Sequence, residues 1–241
     1  DLLLDVKTFG DAPAITLVGG GNIAVAYNAN AQGVHLQVKV FSSTGAPLGD
    51  GVRIEHQIGF SRPQIATLAN GNFVVTWMDQ RQSQDPFATD VWAQRFNASG
   101  TALGTAFVVN SSDPPSFSFP DVIGLPGGGF AVVWRDFSNS DPEYSGSIRG
   151  QYFDSAGVAA GSEFVILADD TNVAGQLEVI GLADDKIVVA WLETIDYDND
   201  IVANGFQIVD SSGRLVGGPQ LVDVFSTANT DQSLTTTPGG G

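Results

Sequence analysis

The sequence predicts an all-β fold in which a four-stranded antiparallel unit is repeated four times along the 241 residues. Three observations predict it. Two motifs recur at a nearly fixed spacing, turns rich in glycine separate short apolar runs, and no stretch has the sustained 3.6-residue apolar period of a helix. A period of this size indicates a repeat architecture.

The first motif is an apolar strand, a tight turn of Gly, Asn or Asp, and a second apolar strand that ends on an aromatic residue. Its copies are residues 15–27 (ITLVGGGNIAVAY), 65–77 (IATLANGNFVVTW), 122–134 (VIGLPGGGFAVVW) and 179–191 (VIGLADDKIVVAW). The closing aromatics Tyr27, Trp77, Trp134 and Trp191 are 50, 57 and 57 residues apart. Because the turn residues tolerate positive φ, each copy predicts a hairpin of two strands, which we name a and b.

The second motif follows each copy of the first and predicts strands c and d. It reads VHLQVKVFSSTGAPLG, VWAQRFNASGTALG, IRGQYFDSAGVAAG and VANGFQIVDSSGRLVG. Its turn glycines Gly45, Gly100, Gly157 and Gly213 are 55, 57 and 56 residues apart and fit a left-handed position in a short hairpin. In the second unit we expect strands at 64–68, 73–77, about 91–96 and about 106–109.

Four antiparallel strands per unit are the content of one β-propeller blade, so we predict a β-propeller-like array; a solenoid of hairpins is the alternative. Strand b is apolar at nearly every position, as in a strand covered on both faces, which favours blades. We expect one repeat domain, residues 1–241, with units at about 13–62, 63–119, 120–176 and 177–232. Partial blade strands are expected at 1–9 and 233–241, which belong either to a longer array or to a five-bladed ring with one composite blade.

The composition limits the classes of binding partner that the chain can have. The net charge is −17 and the isoelectric point is about 4.1, so phosphate backbones are repelled and nucleic acid is an unfavourable partner. No run of 18 apolar residues is present, so we expect no membrane insertion. The absence of cysteine excludes disulfides, thiolate metal sites and cysteine catalysis.

The b–c connections collect many of the acidic residues, and one of them suggests a cation site. Asp196, Asp198 and Asp200 alternate along the fourth connection, and Ca²⁺ takes six to eight oxygen ligands of this kind. Ile201 and Gln207 occupy the sixth and twelfth positions, where the EF-hand pattern needs Gly and Glu, so that loop is excluded. A shorter Ca²⁺ loop and a solvated acidic loop remain the two interpretations, and no other cofactor is expected.

Three b–c connections begin with Trp, any residue, and an acid. One interpretation is a rim of aromatics and carboxylates suited to sugar binding, and the other is a Trp packed between blades with the acid capping a turn. The first unit reads Tyr27-Asn28-Ala29 and lacks the acid. The candidate ligand-binding residues are Trp77 and Asp79, Trp134 and Asp136, and Trp191 and Glu193.

Catalysis has little support in the sequence. His35 and His56 are the two histidines, and neither a nucleophile elbow nor a zinc-binding motif is present. Paired carboxylates for glycoside hydrolysis could come from different blades, which a sequence does not reveal. We therefore name no catalytic residue.

The motif pair resembles a known family of repeats. GGGFAVVW followed by IRGQYFDSAG and GSEFVI is similar to the tandem repeats of large secreted bacterial proteins, as is VWAQRFNASG in the second unit. Such repeats often accompany the calcium-binding nonapeptide (RTX) arrays of proteins with type I export signals. The resemblance implies export and a cell-surface or extracellular role, although the nonapeptide arrays themselves are absent from this sequence.

These observations predict a secreted or cell-surface binding or adhesion module. Its expected partner is a polysaccharide or glycan, or further copies of itself joined through the terminal strands, whose unpaired edges invite another strand. The alternatives are a carbohydrate-active enzyme, glycoside hydrolase or lyase, with its carboxylates in the b–c connections, and an extrinsic structural subunit of a larger assembly.

Overall fold

The computed structural model describes residues 13–29, 35–55, 62–80, 89–111, 119–137, 146–168, 173–196 and 201–226. These residues form sixteen β-strands and two three-residue 3₁₀ turns, with no α-helix among them. The all-β prediction is confirmed. The terminal strands expected at 1–9 and 233–241 lie outside the described residues.

Each unit supplies four strands. The first has β1 (Ala14–Val18), β2 (Asn22–Ala29), β3 (His35–Phe41) and β4 (Val52–Glu55), and the second has β5 (Gln64–Thr67), β6 (Phe73–Gln80), β7 (Thr89–Phe96) and β8 (Phe107–Val108). The third has β9 (Asp121–Gly124), β10 (Phe130–Asp136), β11 (Ser147–Phe153) and β12 (Phe164–Leu167), and the fourth has β13 (Val173–Gly181), β14 (Ile187–Asp196), β15 (Ile201–Val209) and β16 (Leu215–Ser226). The second unit follows the predicted strand positions to within a few residues.

The four units form four separate antiparallel sheets, each with its strands in chain order. Strands a of successive sheets, β1, β5, β9 and β13, lie beside one another. Between the first two, the hydroxyl groups of Thr16 and Thr67 are 3.0 Å apart and hydrogen-bonded. The sheets are therefore blades joined along their inner strands, which is the predicted propeller-like arrangement.

Tight turns adopt the backbone conformation that the sequence predicted. Gly71 in the second a–b turn has φ of 82°, and Gly100 in the following c–d turn has φ of 87°. The fourth a–b turn places Asp184 and Asp185 at φ of 60° and 56°, which costs more for residues with a Cβ.

The a–b turns also join neighbouring blades. The backbone N–H of Gly19 donates a hydrogen bond of 2.8 Å to the carbonyl oxygen of Gly71 in the next blade. The N–H of Gly127 likewise donates to Asp185 Oδ1 at 2.7 Å. The contact between neighbouring blades at this end of the array therefore depends on the length of the a–b turns.

The closing aromatic of each unit after the first packs into the core shared with the preceding blade. Trp77 lies among Ala24 and Leu36 of the first blade, and Trp191 lies among Ala131 and Ile148 of the third. Trp134 occupies the same place between the second and third blades. The hydrophobic core is thus divided among the blade junctions, and strand b is covered on both faces as predicted.

Two details depart from the repeat pattern. Strand β13 begins at Val173, so the unit boundary expected at 176/177 falls inside it, and its register shifts between Ala174 and Glu178. Strand β16 has 12 residues, whereas β4, β8 and β12 have 4, 2 and 4. Both departures lie in the fourth blade.

Candidate functional site

One repeat position on the inner strands carries polar side chains in three of the four blades. In every blade, the residue at this position pairs across the sheet with the residue immediately before the closing aromatic. We call it the entry position, and its residues are Ala14, Gln64, Asp121 and Glu178. The first blade is apolar there, and the next three carry an amide and two carboxyl groups.

Asp121 connects the third and fourth blades. Its Oδ1 accepts the backbone N–H of Val122 at 2.8 Å, and its Oδ2 accepts the N–H of Val179 on β13 at 2.8 Å. Burial raises the pKa of Asp121 to about 7, the two backbone hydrogen bonds act in the opposite direction, and the charge of Glu178 adds to the increase. The carboxyl group can therefore hold a proton close to neutral pH.

Glu178 occupies the entry position of the fourth blade and is half-buried. Burial raises its pKa as well. Asp121 and Glu178 thus form an electrostatically coupled pair on neighbouring inner strands. Two carboxyl groups whose surroundings differ are the arrangement that acid–base chemistry uses, and carboxylates also bind sugar hydroxyl groups.

The three tryptophans proposed for a binding rim are packing groups in this structure. Trp77, Trp134 and Trp191 are at most 1% exposed. Within the described part of the chain, their indole Nε1 atoms have no hydrogen-bond partner. Because their rings are covered by the preceding blade, they do not form an exposed aromatic rim, and the packing alternative accounts for their position.

Asp136 belongs to a polar network between the second and third blades. Its side chain is 1% exposed, and its Oδ2 lies 2.8 Å from Nε of Arg149. Arg149 Nη1 also contacts Glu163 Oε1 at 3.1 Å, and Glu163 Oε2 accepts hydrogen bonds from the N–H and hydroxyl groups of Ser111. The carboxylate of Asp136 is therefore engaged in holding two strands and two blades together.

Asp79 and Glu193 occupy the corresponding places in the second and fourth blades and are both half-buried. Asp79 lies opposite Asp90 on β7, and its Oδ1 accepts the N–H of Gln80 at 2.8 Å. Glu193 lies opposite Ala203 on β15. Because strand b runs antiparallel to strand a, these acids and the entry position lie at the same end of the blades, and the binding role of the acids stays a prediction.

The proposed cation loop is only partly within the described residues. Asp196 is the last residue of β14 and is half-buried, whereas Asp198 and Asp200 lie outside the described residues. Among the described residues, no group of three or more His, Asp or Glu side chains is arranged to hold a metal ion. Calcium binding by this loop stays a prediction.

Sequence reasoning missed the entry position, although the signal was present. Gln64, Asp121 and Glu178 each precede the closing aromatic of their unit by the same number of residues as Ala14 does. The first motif was defined by its apolar residues, and its copies begin one residue after Gln64, Asp121 and Glu178. The definition therefore left these polar residues out. The contact between Asp121 and Val179 joins residues 58 positions apart and becomes visible only in the structure.

No family profile and no curated protein matches the chain. Solved structures do match it. An α-L-arabinofuranosidase of Fusarium graminearum in complex with arabinobiose gives a TM-score of 0.58 at 9% identity, covering 87% of this chain and 65% of that one. The fold is β-propeller-like.

Two further enzymes share this fold. An α-L-arabinofuranosidase from Lactobacillus brevis gives a TM-score of 0.52 at 10% identity over 87% of this chain and 71% of the enzyme. A B. megaterium levansucrase gives 0.54 at 9% identity over 94% of this chain and 73% of the enzyme. This chain spans about two thirds, 65%, of the length of the Fusarium structures. Among the described residues, no helix has the length and apolar character needed to cross a membrane.

Proposed function

We propose that this chain is a carbohydrate-binding module of a secreted or cell-surface protein, with its sugar site at the entry end of the inner strands. The observation that carries the proposal is the repeat position at which three successive blades place Gln64, Asp121 and Glu178. An amide and two carboxyl groups supply both donors and acceptors, which is the chemistry that recognises sugar hydroxyl groups. Secretion itself rests on the resemblance to exported bacterial repeats.

The fold adds support for the ligand class. One of the similar structures holds arabinobiose, and another is a levansucrase. At 8–10% identity these likenesses transfer a fold and no residue roles. They make polysaccharides the first ligands to test, and the acidic surface of the chain favours neutral or cationic polymers over anionic ones.

Glycoside hydrolysis is the second candidate, and the pKa of Asp121 favours it. A carboxyl group with a pKa of about 7 beside another carboxyl group is suited to donate a proton to a leaving oxygen at neutral pH. In such a reaction Asp121 is the general acid and Glu178 the base or nucleophile. The binding proposal takes precedence because both Asp121 oxygens already accept backbone hydrogen bonds.

The experiment is a retention and product assay on a panel of neutral and cationic polysaccharides, with and without Ca²⁺. The protein is compared with Asp121→Asn, Glu178→Gln and Gln64→Ala, and with Asp50→Asn as the matched control. Asp50 is exposed and lies in the c–d connection, at the opposite end of the first blade. Circular dichroism establishes that each variant is folded.

Binding at the entry end predicts retention that falls at least tenfold in Asp121→Asn and Glu178→Gln and is unchanged in Asp50→Asn. Released sugar that disappears in Asp121→Asn while retention persists supports hydrolysis instead. Retention on no polymer contradicts both candidates. If all variants are retained equally on the polysaccharide, the sugar does not bind at the entry position.

A further inference from the structure

The inner strand of the fourth blade continues past the entry position. Strands β1, β5 and β9 each begin at their entry residue, whereas β13 begins at Val173, five residues before its entry residue Glu178. We call residues 173–177 the β13 extension. Because the entry positions of the four blades are equivalent, the extension lies beyond the first residues of the other inner strands, at the end of the blades where we place the sugar site.

A bulge gives the β13 extension its shape. Ala174 pairs with Leu192 of β14, and Glu178 pairs with Ala190. The three residues of β13 between these pairs therefore lie opposite a single residue of β14, Trp191. Bulges bend a strand and change the direction of its side chains, and they are frequent next to functional sites. Since Glu178 directly follows the bulge, the bulge helps to set the direction of its side chain.

The β13 extension is held in the core of the junction between the third and fourth blades. Val173 and Leu177 are buried and belong to the same core cluster as Trp191. Gln176, between them, is exposed. The extension thus presents an amide side chain on a packed support, and an amide both donates and accepts the hydrogen bonds that sugar hydroxyl groups make.

Two side chains of the third blade hold β13 on either side of the bulge. Nη2 of Arg135 donates a hydrogen bond to the carbonyl oxygen of Val173. Oδ2 of Asp121 accepts the N–H of Val179 at 2.8 Å. The bulge and Glu178 lie between these two contacts, so the third blade determines where both of them sit.

Arg135 is itself held in one place. It is buried, and its guanidinium carbon lies 4.6 Å from the ring centroid of Phe137 and 5.3 Å from that of Phe119. A guanidinium group is planar and permanently charged, so it interacts with aromatic faces while its N–H groups donate at its edge. The two rings therefore orient the group that binds the carbonyl oxygen of Val173.

We propose that the β13 extension is one wall of the sugar site, that Gln176 on it helps to select the sugar, and that Arg135 is the positioning residue that holds the wall in place. This inference rests on the proposed function. A site that hydrogen-bonds a particular hydroxyl group discriminates strongly against sugars that lack it. Among the described residues the other inner strands have no such extension, so the fourth blade makes the site asymmetric.

Titration calorimetry with a fixed panel of soluble oligosaccharides, prepared from xylan, β-glucan, mannan and chitosan, tests the proposal. Arg135→Met and Gln176→Ala are compared with two matched controls. In the first control, Arg95→Met, the arginine also donates to a carbonyl oxygen of the next blade, that of Ser155 at 2.7 Å, but at the opposite end of the blades. In the second, Gln220→Ala, the glutamine is exposed on β16 of the same blade.

We expect Arg135→Met to weaken oligosaccharide binding by about tenfold or more, and Gln176→Ala to change the ratio of dissociation constants between the two best-bound oligosaccharides by about fivefold or more. Both controls should bind as the unmodified protein does. The dissociation constants are measured well below the unfolding midpoint of each variant, where a loss of stability alone does not change them. If Arg135→Met does not fold, the exposed Gln176 still provides the test.

Hydrogen exchange provides a second measurement that needs no sugar. Amides of residues 173–180 should exchange faster in Arg135→Met than in Arg95→Met, and equal exchange would show that Arg135 does not position the extension. Unchanged affinities and ratios in Arg135→Met and Gln176→Ala, with binding lost in Glu178→Gln, overturn this inference and leave the proposed function standing. If the unmodified protein binds no oligosaccharide of the panel and no polysaccharide, the proposed function fails and this inference fails with it.

Discussion

The carboxylate of Asp121 accepts the backbone N–H of Val179 at 2.8 Å, across the junction between the third and fourth blades. This bond joins two inner strands through one side chain. Because burial raises the pKa of that side chain to about 7, the junction is expected to respond to pH.

Stability is predicted to fall as pH rises through the range in which Asp121 ionises. An unfolded aspartate titrates near pH 3.9, so between about pH 4 and 7 the folded state binds more protons than the unfolded state. The free energy of unfolding should therefore decrease with pH in this window, by at most about 1.4 kcal/mol per pH unit from this group, and level off above it.

Urea unfolding of the protein and of Asp121→Asn from pH 4.5 to 8 measures this contribution as the difference between two curves. Glu178, whose pKa is also raised, contributes the same sign of slope to both. If the unfolding free energies of the two proteins change with pH in parallel, Asp121 does not have a raised pKa in the folded state.

Gly205→Ala is predicted to destabilise the fourth blade. A Cβ at this position lies 2.6 Å from the ring of Trp191, which is fully buried and packed against the third blade. Overpacking of this kind costs about 1–3 kcal/mol. Gly218→Ala is the matched control in the neighbouring strand, since its Cβ meets nothing within 4 Å. Urea midpoints should fall for the first variant and not for the second.

Asp136 is predicted to contribute to stability through Arg149. Asp136→Asn removes one of the two carboxylates that pair with Arg149 and leaves Glu163 as its partner, so the substitution should cost about 1–3 kcal/mol. A double-mutant cycle with Arg149→Met measures the coupling. Glu55→Gln, in the exposed pair with Arg53, should leave the unfolding midpoint unchanged. Additive effects of the two substitutions would show that the ion pair does not couple them.

Calcium is predicted to stabilise the protein through the fourth b–c connection. Millimolar CaCl₂ should raise the Tm relative to chelator, and Asp198→Asn combined with Asp200→Asn should abolish the shift. Asp50→Asn serves as the charge control. The Ca²⁺ interpretation fails if the Tm is the same in both buffers, and the solvated-loop alternative then holds.

The parts of this structure that depend on local sequence were predictable. The alternation of apolar runs with Gly and Asn located β5 to β8, and the turn glycines Gly45 and Gly100 took the left-handed conformation expected of them. The parts that depend on contacts between blades were not. Nothing in the 122–134 motif indicates that Asp121 bonds to Val179, and the Trp-acid pattern did not show that Trp134 is buried while Asp136 pairs with Arg149. The length of β16 also departs from every other copy, so the repeat itself was misleading there.

The hydrogen bond from Gly19 to Gly71 has a consequence for how such arrays diverge and how they can be re-engineered. The first two blades meet through backbone at their a–b turns, and the third and fourth meet through the Asp185 side chain. The segments between strands a and b contain 3, 5, 5 and 5 residues. The b–c connections at the opposite end contain 5, 8, 10 and 4 residues. Insertions and randomised peptide libraries should therefore be tolerated between strands b and c, while a single added residue between strands a and b should disrupt the neighbouring unit.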